Sequence, residues 1–480
     1  MSMRSSWLCA VLFGSIALFL LPACSDSSDV GLGVGPQSDS LGGGQPQTLG
    51  VLPAAVDTTQ EVPITGENNR EPPTRSEWRF LVGRVEDPVT TPSLQVEAEG
   101  YVDFAGRSSL PDAIATASDA DSLTAELRLP TTYVHGIGNA AMPIDVYDLS
   151  DEAAMDSARA SETFPADMAR AASVDAAAIT PTDSLVTIEL RQDWIEQNLA
   201  VLQNTGDGGL SFEEEFSGFK IVAPNSQAVV GFSSADATLR LTHVADTVSA
   251  EYTALKTFTH VEQQNEVAPP SGYELLRGGV GTGLAMEWAY GEAEFQTEVE
   301  SSAPGSPPII DSLPVDTSAA VPLNRAELLV PVDTAELNRR TGTDFSRPLP
   351  NGYRIVATRH PDPSTPSCSN IFNVIGLATG DRACSLPLVS SAAPGAALVG
   401  NDYAFPLFDQ TFRRVSGASE APQPPPFTTF RVFVADRAST GGSGSTLQPG
   451  LPTTVPVLVP ARTASADPGP PRATLTVTPL

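Results

Sequence analysis

His135, His243, His260 and His360 are the chain's four imidazoles, and with its carboxylates they bound the acid–base and metal chemistry open to it. None belongs to a helical H-E-x-x-H pair, the spacing that sets two imidazoles and a general base around one metal. His243 follows an alternating Arg-Leu-Thr run and reads as facing solvent or capping a strand edge. Neither a Gly-x-Ser-x-Gly elbow nor a Gly-Lys-Ser/Thr phosphate loop occurs. Gly279 to Gly283 lacks dinucleotide spacing and reads as a strand start or bulge. A carboxylate pair at glycosidase separation would leave no linear trace. Asp119, Asp121, Asp207 and Asp236 are loop or strand-end acids of the hard-oxygen kind that holds calcium, yet no D-x-D-x-D-G loop contains them. Trp288 and Tyr290, two aromatics on one face of a strand, are the candidate platform for stacking on sugar rings. Trp78 and Trp194 sit in apolar patterns and read as core. The expectation is a chain without catalytic machinery, cofactor or metal, structural calcium having no motif behind it.

The cysteines give a sharper reading. Arg4 precedes an apolar run from Trp7 to Leu21, too short for a permanent membrane span and suited to a signal-peptide core. Leu21-Pro22-Ala23-Cys24 closes it and resembles the lipobox of bacterial lipoproteins. That resemblance implies a diacylglycerol on the Cys24 sulfur and removal of residues 1–23. Ser25 and Asp26, with more Ser and Asp behind, resemble the outer-membrane sorting pattern of diderm lipoproteins, cell-surface exposure being favoured. Cys9 leaves with the signal peptide, so Cys368 and Cys384 remain. In an oxidising compartment they most simply form one disulfide, a metal or redox pair being disfavoured because the spacing is not C-x-x-C. A loop of that size contributes about 3 kcal/mol when unstrained.

Composition excludes one class of partner. Against 57 Asp+Glu stand 27 Lys+Arg, a net charge of −30, so the basic footprint that nucleic-acid binding needs is missing. The same excess disfavours direct adhesion to anionic headgroups, leaving the lipid anchor as the membrane link. Hydrophobic residues make up 41%, enough for sizeable cores. The 43 prolines and 38 glycines break the chain too often for long helices and suit short strands joined by turns.

The elements that must position any site are therefore strands. Residues 24–60 form a Ser/Asp/Gly tether expected to be flexible, within which only residues 49–56 could pack. Beyond it, runs of period two mark half-buried strands at residues 120–130, 143–149, 237–242, 320–331, 353–357 and 473–478. Ala125-Glu126-Leu127 recurs as Ala326-Glu327-Leu328, and Ala237-Thr238-Leu239 as Ala473-Thr474-Leu475, so the folded part reads as a loose duplication. The halves meet near residues 263–271. Trp194, Ile195, Leu199 and Leu202 at helical spacing predict a helix over 192–202, and a second short one is expected over 153–160. Together these give a mostly β chain of two tandem jelly-roll-like β-sandwich domains, residues 61–265 and 270–480.

A longer succession of motifs carries a resemblance. Residues 78–88 read Leu-Val-Gly and then Glu-Asp-Pro, followed by the runs at 120–123, 144–149 and 216–221, then Gly278 to Gly281 and residues 324–333. With the lipobox, this order resembles a lipoprotein family of diderm bacteria catalogued only as domain of unknown function 4270. The resemblance implies secretion, lipidation and a β-rich body, and brings no functional residues with it. The expected function is non-catalytic binding of an extracellular ligand, polysaccharide first. The alternatives are a structural or assembly partner of an outer-membrane protein complex and, third, a glycan hydrolase.

Overall fold

The computed structural model describes residues 47–52, 55–59, 79–149, 166–171, 178–263, 267–278, 283–287, 290–292, 309–310, 313–315, 323–349, 352–359, 383–389, 398–400, 427–435, 453–461 and 470–477. All lie in one compact unit, Pro46–Pro479. The chain is mostly β, with several sheets and a few short helices.

Six antiparallel strands of the first half form the frame: β1 (Arg79–Asp87), β2 (Leu94–Phe104), β3 (Leu123–Ile137), β4 (Ala228–Ser233), β5 (Thr238–His243) and β6 (Val248–Gln263). Two of them serve both layers. Residues 123–128 of β3 pair with β5, whereas residues 131–136 pair with β4. Residues 248–253 of β6 pair with β5, and after a bulge at Ala254 the strand continues along β2. With β4 on β1 and β1 on β2, hydrogen bonding runs around a complete circuit, β6-β5-β3-β4-β1-β2 and back to β6.

Alternation explains the two faces. Leu123, Ala125, Leu127 and Leu129 of β3 point inward with Leu239, Leu241, Val230, Phe232, Phe80 and Val82. Thr124, Glu126 and Arg128 take the opposite face, where Arg240 of β5 lies between Glu126 and Glu251 in register. The Arg240–Glu126 and Arg128–Glu251 pairs, at 3.5 and 3.4 Å, are solvent-facing and contribute at most about 1 kcal/mol each.

One end of the core is closed by α1 (Gln192–Leu202) and α2 (Leu210–Glu215). The first covers the predicted span. Its buried side chains are Trp194, Ile195 and Leu202, the apolar stripe that the spacing requires. Trp194 Nε1–H donates to both oxygens of Asp148 at 2.9 and 2.8 Å while its ring packs on Phe216 and Phe219. From α2, Phe212 stacks on Tyr252 with ring centroids 4.9 Å apart.

The second half repeats one pairing of the first. The strands Leu323–Val330 and Arg472–Val477, matched in sequence to β3 and β5, are antiparallel partners just as β3 and β5 are. In register Glu126 pairs with Arg240 and Glu327 with Thr474, an even offset between the two backbone pairings. Two strands come from the stretch expected to be tether. Gln47–Val51 pairs with Arg472–Val477, and Ala55–Thr59 with Gly283–Glu287, so both strands belong to sheets of the folded unit. Strand pairing also crosses the expected boundary at residues 265–270, because Phe345–Ser346 adds to β3 at Gly136 and Ile137. The expected helix over 153–160 lies outside the described residues.

Candidate functional site

The outward face of β1, β3 and β4 is covered by the second half, and there the most concentrated polar chemistry of the described residues is found. Asp87 ends β1, and Tyr133 and His135 alternate along β3. Arg347 follows the short strand Phe345–Ser346, and Thr453 and Thr454 lead into the strand Val457–Pro460. Two glycines shape the approach. Gly136 has φ +124°, and a Cβ there would sit 2.4 Å from the Gln227 carbonyl oxygen. Gly278 lets the Thr453 backbone come close, since a Cβ would lie 2.5 Å from its carbonyl oxygen.

Every atom in the cluster is spoken for. His135 Nε2 lies 2.8 Å from Asp87 Oδ2, and Nδ1 lies 2.9 Å from Thr454 Oγ1. Tyr133 Oη lies 3.1 Å from Thr454 Oγ1 and 3.3 Å from Thr453 Oγ1, and accepts from the Thr454 amide at 3.2 Å. Arg347 donates to Asp87 through Nε at 3.1 Å and through Nη2 to the other oxygen. The Val89 amide fills a further lone pair of Asp87 at 2.9 Å. Edge-on to the His135 ring stands Phe345, at 5.7 Å, and the Arg79 guanidinium lies 4.4 Å from the Tyr133 ring centroid. Asp87, His135 and Thr454 are all 0% exposed.

Burial alone would raise the Asp87 carboxyl. The His135 hydrogen bond, the charge His135 carries when protonated, and then the Arg347 charge outweigh it and hold that group below the usual carboxylate range. Burial pushes the Tyr133 phenol up, partly offset by its threonine hydrogen bonds.

The cluster continues into the second half. Arg347 Nη1 donates to the Leu337 carbonyl at 3.1 Å, near the end of α3 (Thr334–Arg340). Asp333 caps the start of that helix by accepting from the Glu336 amide at 2.8 Å. Its other oxygen accepts from Tyr273 Oη at 2.7 Å, which, with burial, pushes the Tyr273 phenol up to about 12. Arg339 and Arg340 hold Glu336 down to about 2.

Carboxylate, imidazole and hydroxyl in a row is the order of groups that activates a nucleophile in acyl transfer. Here the hydroxyl is enclosed, its lone pairs face Tyr133, and the carboxylate is clamped by a guanidinium. The arrangement can store and orient protons, and it ties β1 and β3 to residues 333–347 and 453–460.

The residues expected from sequence lie elsewhere. Cys24, Cys368, Trp78, Trp288 and His360 are outside the described residues. Cys384 falls in the strand Ala383–Val389 opposite Ala357, and Tyr290 opens the strand Tyr290–Glu292. The four loop acids are not brought together. Asp119 caps a short turn through the Asp121 amide at 3.0 Å, Asp236 accepts from Ser233 Oγ at 2.7 Å, and Asp207 sits in a loop with φ +50°. His243 contacts Asp246 at 3.1 Å, and His260 lies opposite Glu99. Among the described residues no group of three His, Cys, Asp or Glu side chains could hold a metal, and no helix is long and apolar enough to cross a membrane.

Sequence reading missed the cluster because its members are scattered. The available signal was the alternation of Tyr133 and His135 about a buried-type Val134, polar residues on a strand face opposite an apolar one. Comparison with family models, curated proteins and solved structures gives no match to the chain.

Proposed function

We propose that the chain is a lipoprotein of the outer membrane, anchored through Cys24 and favouring the cell surface, whose folded part binds an extracellular ligand without catalysis. What supports this is the state of the Asp87–His135–Thr454 row. It is the arrangement among the described residues closest to catalytic machinery, and its hydroxyl is 0% exposed and already engaged. A nucleophile needs a free approach at its oxygen, which Thr454 lacks. The acidic surface and the lipobox favour a tethered body that meets a neutral or cationic ligand, polysaccharide being the first candidate, with Trp288 and Tyr290 as the stacking pair. A disulfide between Cys368 and Cys384 belongs to the same reading.

Two experiments test it. Protease shaving of intact cells should release the folded body from wild type, whereas Cys24→Ala should lose its membrane attachment. Protection until the outer membrane is permeabilised would replace surface capture by an assembly role on the inner leaflet. On a glycan array, binding should disappear in Trp288→Ala with Tyr290→Ala. Turnover of a glycan that a single Asp or Glu substitution abolishes would overturn the non-catalytic reading.

A further inference from the structure

The side-chain chain His135–Thr454–Tyr133–Thr453 has three contacts, at 2.9, 3.1 and 3.3 Å. Each contact holds one proton. Thr454, Tyr133 and Thr453 bring three hydroxyl protons between them, so the chain is filled when His135 Nδ1 brings none. His135 Nε2 faces Asp87 Oδ2, an oxygen that also takes the Arg347 Nε–H and therefore accepts, so Nε2 carries the ring proton. The protons then all run one way. Thr453 Oγ1–H donates to Tyr133, Tyr133 Oη–H to Thr454, Thr454 Oγ1–H to His135 Nδ1, and Nε2–H to Asp87. The Val455 amide completes the far end by donating to Thr453 Oγ1 at 3.3 Å.

We propose that His135 is a neutral Nε2–H imidazole in the folded protein and that its protonation is an acid switch unlatching residues 453–460 from β3. A proton on Nδ1 makes four protons for three contacts. One hydroxyl proton is then orphaned in a site where Thr453 and Thr454 are 2% and 0% exposed, a penalised state whichever hydroxyl reverses. Among the described residues the added charge meets Asp87, which Arg347 already balances, and no further counterion. Around the ring stand Asp87 from β1, already forked by Arg347, Val229 from β4, Phe345, and Thr454, with Arg79 beyond Tyr133. A neutral imidazole satisfies the site, an imidazolium does not, and acid selects whatever opening lets water reach Nδ1.

The test uses the full chain in detergent. Histidine-nitrogen NMR at about pH 7.5 should show one imidazole with a protonated Nε2 and a bare Nδ1, absent from His135→Gln. An imidazolium pattern for that residue at the same pH would overturn the proposal. Between about pH 7.5 and about pH 5, hydrogen exchange at residues 131–137 and 453–460, corrected for intrinsic rates, should lose at least about tenfold protection in wild type. Gln offers an N–H to Asp87 and an oxygen to Thr454 without titrating, so His135→Gln should stay flat. Equal behaviour of the two proteins would sink the switch. Should His135→Gln fail to fold, Thr454→Val assigns the resonance by shifting Nδ1, and the wild-type spectrum decides.

Discussion

Arg347 and Asp87, 260 positions apart in sequence, form a two-pronged ion pair whose side chains are 5% and 0% exposed. The guanidinium balances the carboxylate that touches His135, and it does so from the other half of the chain. Arg347→Met should cost about 3–5 kcal/mol in chemical denaturation, because it strands a buried charge. Adding Asp87→Asn should recover part of that loss, since the uncompensated charge goes with it. A loss under about 1 kcal/mol in Arg347→Met would mean that the pair is not closed in solution.

The bend at Gly136 gives a second prediction. Gly136→Ala places a Cβ 2.4 Å from the Gln227 carbonyl at φ +124°, whereas Gly208, at φ +74°, has nothing within 4 Å. Gly208→Ala bears conformational strain alone, about 1 kcal/mol, and Gly136→Ala should cost clearly more by thermal or urea unfolding. Equal costs would show that the β3–β4 contact relaxes freely.

Trp194 separates packing from hydrogen bonding. Trp194→Phe keeps a ring against Phe216 and Phe219 but loses the indole donor to Asp148, for about 1–3 kcal/mol. Trp194→Ala also opens a cavity and should cost about 3–5 kcal/mol. Both are read from denaturation midpoints.

Tyr273 makes stability fall in alkali. Its phenol is raised from an ordinary value of 10 to about 12 in the fold, so the folded state holds its proton more tightly than the unfolded state. That contribution is complete below pH 10 and is lost as pH climbs to about 12. Tyr273→Phe should flatten this limb of the stability curve. Glu336 works in the opposite sense. Depressed from 4.5 to about 2, it contributes above pH 4.5, and the contribution is lost as pH falls toward about 2. Glu336→Gln should remove that acid limb and, because the Glu336 charge helps to raise Tyr273, also shrink the alkaline one slightly.

The helix over residues 192–202 and the strand runs were legible because each depends on local periodicity, with one buried face repeating every turn or every second residue. Asp87 could be read as part of a Glu-Asp-Pro stop, and His135 as one imidazole among four. Their partnership could not be read, for Thr454 stands 319 positions from His135 and no linear spacing joins them. The pairing of Gln47–Val51 with Arg472–Val477 was hidden for the same reason, behind a composition that looks like spacer. What the sequence carries poorly is the meeting of distant strand faces, where single polar residues change meaning according to what covers them.

The strand circuit of the first half also dictates when the protein can finish folding. Its last closure joins residues 96–104 to residues 254–263, so a chain emerging from its N-terminus cannot complete the ring before Gln263 is free. His135 and Tyr133 find their hydroxyl partner only once Thr454 reaches them. Satisfaction of those side chains thus waits on residues as far as Thr454, and a product cut before them is left with unsatisfied polar groups on β3. The two closures are therefore separate in the chain, the ring needing residues up to Gln263 and the polar groups of β3 needing Thr454.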